Sequence, residues 1–85
     1  MTWFTSTSET FEARQWPEVG LMELSEFVGA HRVIVAKDGT VYVIVSSGHP
    51  QRLERGWFVC RYPGGSIGVV AEDYRAGWEE TEAPQ

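Results

Sequence analysis

Apolar and polar residues alternate near the start of the chain, and this pattern predicts a strand. Over residues 10–16, Phe11 and Ala13 point to one side and Glu12 and Arg14 to the other. A period of two is typical of a strand that is buried on one face. We therefore expect a half-buried strand here.

A change to helical spacing follows this strand. Leu21, Leu24 and Val28 recur with the period of an amphipathic helix. Pro17 suits a first helical turn, and Gly29 suits the position after the last turn. The pattern predicts a helix of about two to three turns.

Two β-branched runs within residues 32–46 flank Asp38-Gly39, a dipeptide preferred in two-residue hairpin turns. Such a turn pairs Lys37 with Thr40 and Ile34 with Val43. One face should then meet the core: Ile34, Ala36, Val41, Val43 and Val45. The other is apolar enough to need partial cover from the helix, another sheet layer or a partner: Val33, Val35, Lys37, Thr40, Tyr42 and Ile44.

A second hairpin is predicted for residues 57–62 and 67–70, around Pro63-Gly64-Gly65-Ser66. Pairing Tyr62 with Ile67 directs one set of side chains to the core: Phe58, Cys60, Tyr62, Ile67 and Val69. Residues 71–77 should form a short helix, with Tyr74 and Trp78 one turn apart and able to pack on the sheet.

These elements predict a single α+β domain over residues 1–85, with the order β-α-β-β-β-β-α. Short strands joined by hairpins favour a mainly antiparallel curled sheet or a small half-open barrel. Residues 1–9 are expected to be a loose start and residues 80–85 a flexible tail.

Charge and composition narrow the classes of partner. The net charge is −5 and the seven Lys and Arg residues are scattered, so we expect no nucleic-acid binding. No segment approaches the roughly 20 apolar residues of a membrane span. One cysteine cannot form an internal disulfide, and no signal peptide is visible. We therefore expect a cytoplasmic protein.

No catalytic or metal-binding constellation is apparent. Cys60 with His31 or His49 is the closest to a nucleophile and base, but Cys60 is predicted to be a buried strand residue. Residues 64–66 join two strands, whereas phosphate-binding loops open a helix. We expect no enzymatic activity, no metal and no cofactor.

Four segments resemble a family of small phage and prophage proteins. Phe11-Glu-Ala-Arg-Gln-Trp16 is similar to the family's "EAxQW" strand. Glu54-Arg-Gly-Trp-Phe-Val59 resembles its "PGDWIV" strand, and the turn at residues 64–67 resembles its "GEF". Residues 73–79 resemble the closing "DxFxxxYE", with Tyr74 and Trp78 as its two aromatic residues. The resemblance implies a phage or prophage accessory protein in a bacterial host.

We therefore expect a non-enzymatic protein that binds a host or phage protein, as an inhibitor or adaptor. Trp57, Tyr42, Arg61 and Arg55 are the candidate contact residues, because aromatic and arginine side chains are enriched at interfaces. Two alternatives stay open: a protein that sequesters a nucleotide signal of host defence, and a minor virion component. The two-sided apolar hairpin is also consistent with a homodimer.

Overall fold

The computed structural model describes residues 3–6 and 9–82. Its one α-helix in that range is α1 (Leu21–Val28), and two 3₁₀ helices span Ala30–Arg32 and Glu72–Gly77. Eight strands are present in these residues: β1 (Trp3–Ser6), β2 (Glu9–Gln15), β3 (Val33–Val35), β4 (Val41–Ile44), β5 (Pro50–Leu53), β6 (Phe58–Arg61), β7 (Ile67–Val70) and β8 (Glu79–Thr81).

The strands form two antiparallel sheets instead of one curled sheet or half-open barrel. The five-stranded sheet has the order β7-β6-β2-β1-β8, and the three-stranded sheet has the order β3-β4-β5. Neither sheet closes into a barrel. The α+β class and the antiparallel pairing predicted from the sequence are confirmed at this level.

An aromatic cluster covers one face of the five-stranded sheet. The Trp78 ring lies 5.3, 4.8 and 5.0 Å from the ring centres of Phe4, Phe11 and Phe58. Trp78 directly follows the second 3₁₀ helix, so this short element places the indole on the sheet. Its neighbour Cys60 is fully buried in the same cluster.

The main core lies on the opposite face of that sheet. There Val59 packs with α1 residues such as Leu24 and with Val43 of the three-stranded sheet. Ser46 links the two sheets, because its N–H donates to the Ile67 carbonyl at 3.1 Å and its Oγ accepts from the Ile67 N–H at 2.7 Å. The middle of the five-stranded sheet, at β2 and β6, is therefore buried on both faces.

The first hairpin differs from its prediction by one residue of register. Val33 pairs with Val43 and Ile34 with Tyr42, not Ile34 with Val43. The loop contains three residues instead of two, since the Ala36 carbonyl accepts from the Gly39 N–H at 2.9 Å and Gly39 has φ 90°. A three-residue loop with glycine in the left-handed region is the next most common hairpin connection. Ile34 consequently leaves the core face.

The second hairpin shows the same displacement. Ile67 pairs with Arg61 instead of Tyr62, because the Tyr62 N–H donates to Ser66 across a three-residue loop. Ile67 therefore lies with Val59 on the main-core face, while Phe58 faces the aromatic cluster.

Both ends of the chain are more regular than expected. The segment expected to be loose contains β1 at residues 3–6 and the first residue of β2, Glu9. In the expected tail, Glu80 and Thr81 belong to β8, and Glu82 follows β8 without regular structure. The remaining parts of these predictions, at residues 1, 2, 7, 8 and 83–85, lie outside the described residues. In the described part of the chain, no helix is both long and apolar enough to cross a membrane.

Candidate interaction surface

The four predicted contact residues do not form one site. Tyr42 lies in β4 and points away from the main core, because its neighbours Val41 and Val43 are buried. Trp57 is half-buried and packs against the main core, on the other side of the three-stranded sheet. Arg55 is exposed in the turn before β6, and Arg61 lies in β6.

Arg61 is held in an internal ionic cluster. Its Nη2 lies 2.6 Å from Oε1 of the buried Glu12, and its Nη1 donates to the Phe27 carbonyl at 2.9 Å. Arg14 Nη2 lies 3.5 Å from the other Glu12 oxygen. Both guanidinium groups lie over the Phe27 ring, at 4.4 and 4.5 Å. This cluster connects the end of α1 to the five-stranded sheet. A role for Arg61 in contacting a partner stays a prediction.

Tyr42 belongs to a larger exposed surface on the three-stranded sheet. Strand pairing places Ile34 on one side of Tyr42 and Arg52 on the other. The next pair on the same face is Ile44 and Pro50. We call these five residues the outer face. Ile34 is 43% exposed, Arg52 and Pro50 are exposed, and Tyr42 and Ile44 are half-buried.

The outer face lies in the basic part of an acidic chain. Residues 31–55 contain four Lys or Arg and two Asp or Glu residues, whereas the rest of the chain contains three and ten. Lys37 and Arg52 are exposed in this segment, and Arg32 is half-buried. Asp38 at the hairpin tip has a pKa below its ordinary value, mainly because its carboxylate accepts a hydrogen bond from the Thr40 N–H.

Two clefts share Gln15, Glu18 and Glu72 in their linings. The first has a volume of about 370 Å³, and its two arginines donate to backbone carbonyls: Arg14 to Ala13 and Arg75 to Trp78. The second has about 380 Å³ and includes Arg55. No buried side-chain nitrogen or oxygen in the described residues lacks a hydrogen-bond partner. Neither cleft therefore presents a buried polar group that awaits a ligand.

Cys60 does not have the properties of an activated nucleophile. Its side chain is fully buried, and burial raises the pKa of its thiol to about 12. Burial likewise raises the pKa of Tyr62 to about 12. A thiol with this pKa stays protonated at neutral pH, and the thiolate is the reactive form. Within residues 3–6 and 9–82, no group of three or more His, Cys, Asp or Glu is arranged to hold a metal ion.

Sequence reasoning identified Tyr42 but missed most of the outer face. Ile34 was assigned to the core because the two-residue turn displaced the register by one position. The signal that could have corrected it is Lys37-Asp38-Gly39, which also suits a three-residue loop with glycine at its end. Glu12 was assigned to the solvent side, and its partner Arg61 lies 49 residues away.

Comparisons with protein-family models, with curated proteins and with solved structures find no match for this chain. The resemblance to small phage and prophage proteins therefore stays a prediction. The cytoplasmic location and the absence of enzymatic activity also stay predictions.

Proposed function

We propose that the chain is a non-enzymatic accessory protein of phage or prophage type, which binds a host or phage protein through the outer face. The observation that carries this proposal is the side-by-side placement of Ile34, Tyr42 and Arg52 across three strands. Tyrosine and arginine are enriched among the residues that dominate binding energy at interfaces. The flat shape of a sheet face also suits a protein partner better than a small ligand.

Binding of a protein partner explains why this small domain exposes apolar side chains on its outer face. Ile34 is 43% exposed on the outer face, beside the half-buried Tyr42 and Ile44. Contiguous exposed apolar surface often marks an interaction site. Arg52 adds a charged group that can orient a partner carrying acidic side chains.

A nucleotide ligand is the second candidate, and one observation favours it. Tyr42 and Arg52 are directly opposite each other on β4 and β5. An aromatic ring beside an arginine can stack on a base and contact its phosphate. In this proposal Tyr42 and Arg52 replace Trp57 and Arg61, since Arg61 is held by Glu12.

The experiment is affinity purification of the tagged protein from its bacterial host, followed by native mass spectrometry. The test variant is Tyr42→Thr with Arg52→Glu, and the control is Tyr74→Thr, which alters an aromatic residue that is 61% exposed outside the outer face. Circular dichroism verifies that all variants fold. We expect one protein to co-purify with the wild type and with the control. The amount that co-purifies with the double variant should be lower by about tenfold or more.

Three other results would change this conclusion. Retention of the partner by the folded double variant would refute the outer face as the binding site. A mass excess of a few hundred daltons, with thermal stabilisation by nucleotides, would establish the second candidate instead. A native mass spectrum that contains only the 9.6 kDa chain, after purification from the lysate of the bacterial host, would contradict both candidate functions.

A further inference from the structure

β3 forms one edge of the three-stranded sheet, and its backbone points hydrogen-bonding groups outward. The Ala36 N–H donates to the Thr40 carbonyl at 2.8 Å, so Ala36 faces β4. In an antiparallel strand, the backbone N–H and C=O groups of successive residues point alternately towards and away from the neighbouring strand. Those of Val33 and Val35 therefore point away from β4. The Val33 N–H confirms this direction, because it donates to the Ala30 carbonyl.

Three of these outward groups have no backbone partner among residues 3–6 and 9–82. They are the Val33 carbonyl and both the N–H and the carbonyl of Val35. A residue in an added strand could pair with both groups of Val35, as two residues do in a hydrogen-bonded antiparallel pair. Val35 is 51% exposed, so this edge is accessible.

The other three sheet edges each carry a feature that opposes strand addition. β5 contains Pro50 and the charged Arg52, and β8 contains two consecutive glutamates. At β7, Ser46 already bonds the N–H and the carbonyl of Ile67. Proline, charge and cover are the usual protections of edge strands.

β3 contains neither proline nor a charged residue, and among its outward groups only the Val33 N–H is already bonded, to the Ala30 carbonyl. Val33, Ile34 and Val35 are β-branched and uncharged, and Ala36 extends the apolar run. β-Branched residues favour the extended conformation that strand pairing requires. An exposed edge of this kind is a template for an additional strand.

We propose that the β3 edge accepts an extended segment of a partner protein as a fourth strand, and that this segment carries acidic side chains around its paired residues. This inference rests on the proposed function and adds the mode of binding and the chemistry of the partner. The added strand would continue the outer face beyond Ile34, so both surfaces would contact one partner.

The basic residues around the β3 edge favour a partner segment that carries acidic side chains. Arg32 and Lys37 bracket β3 at its two ends, and Arg52 lies two strands away on the outer face. Arg32 keeps its position because its Nη1 donates to the Ile44 carbonyl at 2.8 Å. The rest of the chain is strongly acidic and repels such a segment, which directs it to this edge.

The test uses a synthetic peptide with alternating valine and threonine in its centre and two glutamates at each end. The matched control peptide has lysines in place of the glutamates. Titration into ¹⁵N-labelled protein is followed by amide chemical shifts and by hydrogen exchange. We expect shifts confined to β3 and the outer face, slower exchange of the Val35 amide, and binding about tenfold tighter than that of the lysine peptide at low salt.

Two variants of one residue separate edge pairing from other modes. Val35→Pro removes the free N–H, and Val35→Lys places a charge on the edge while keeping the backbone donor. Tyr74→Lys is the matched control, an exposed aromatic outside this sheet. We expect Val35→Pro to abolish binding, and we expect the Tyr74→Lys protein to bind as the wild type does. Val35→Lys keeps the test informative if the proline variant fails to fold, and we expect it to weaken binding about tenfold.

The outcomes that overturn the proposal are distinct from those that overturn the proposed function. Shifts outside β3, equal binding of both peptides, or no binding would exclude the acidic strand at this edge. A dimer in sedimentation whose Val35 amide is protected without peptide would show that a second copy occupies the edge. If edge pairing fails while the Tyr42→Thr, Arg52→Glu variant still loses its partner, the outer face remains the binding site without strand addition.

Discussion

Replacement of Glu12 by glutamine tests whether the buried ionic cluster stabilises the fold. Glu12 is 3% exposed, and its two oxygens lie 2.6 Å from Arg61 and 3.5 Å from Arg14. Glutamine keeps the size of the side chain but removes the charge and turns an NH₂ donor towards one of the two guanidinium donors. The variant therefore leaves positive charge beside the Phe27 ring without its counter-charge.

The magnitude follows from the exposure of the partners. Removing one member of a buried pair costs about 3–5 kcal/mol. The Arg61 side chain is 34% exposed, so water can solvate it, and we expect a loss of about 2–3 kcal/mol. For a domain of this size each kcal/mol lowers Tm by about 4–8 °C, which gives a decrease of roughly 8–24 °C.

The assay is urea unfolding followed by tryptophan fluorescence, arranged as a double-mutant cycle. Glu12→Gln, Arg61→Gln and the double variant should give a coupling free energy of about 1–3 kcal/mol. Glu54→Gln is the control, because Glu54 is an exposed carboxylate outside the helices and strands and should change stability by less than about 0.5 kcal/mol. A loss below about 1 kcal/mol for Glu12→Gln, or a coupling near zero, would refute the reasoning.

Three further predictions concern turns, the thiol and the aromatic cluster. Gly56→Ala and Gly48→Ala should each lose about 1–2 kcal/mol in urea unfolding because both glycines have φ 91°. A Cβ at Gly56 would also overlap the carboxylate of Glu72, but this side chain is exposed and can rotate into water. Adding Glu72→Ala to Gly56→Ala should therefore restore less than about 0.5 kcal/mol of the lost stability, and a larger gain would contradict this reasoning. Burial raises the pKa of Cys60 from its ordinary 9.0 to about 12, so the unfolded chain loses this proton first and the stability falls as the pH rises. Between about pH 9 and 10 the wild type should lose about 1 kcal/mol more than Cys60→Ala, and equal slopes would contradict the buried-thiol explanation. Trp78→Ala should cost about 3–5 kcal/mol and abolish the near-ultraviolet dichroism of the cluster, so an unchanged spectrum would be inconsistent with the ring contacts.

Local signals in the sequence predicted the positions of the helix and strands better than they predicted which strands pair with each other. The helix stripe located α1, although the helix begins at Leu21 instead of near Pro17. Both hairpins were located at the correct turns. β1, β5 and β8 were missed because they are short and polar or lie near a terminus, where the alternating signal is weak.

The candidate site depended on register, which local patterns determine poorly. Tyr42 was placed on the non-core face by alternation within β4, and the structure agrees. The position of Ile34 depends on the number of residues in the loop, and a change of one residue reverses the face of the whole strand. Arg61 was interpreted as a contact residue because the sequence does not show that Glu12 lies on the adjacent strand.

The sequence by itself determined the class of fold, the location of α1 and the two hairpins, and the acidic character outside residues 31–55. These properties follow from the spacing and composition of neighbouring residues, which do not depend on distant partners. Only the tertiary structure decided that there are two sheets, that the middle of the five-stranded sheet is buried on both faces, and that β3 has a free edge. These properties depend on strand pairing between residues far apart in the chain, and the free energy of that pairing comes from packing that no single segment contains.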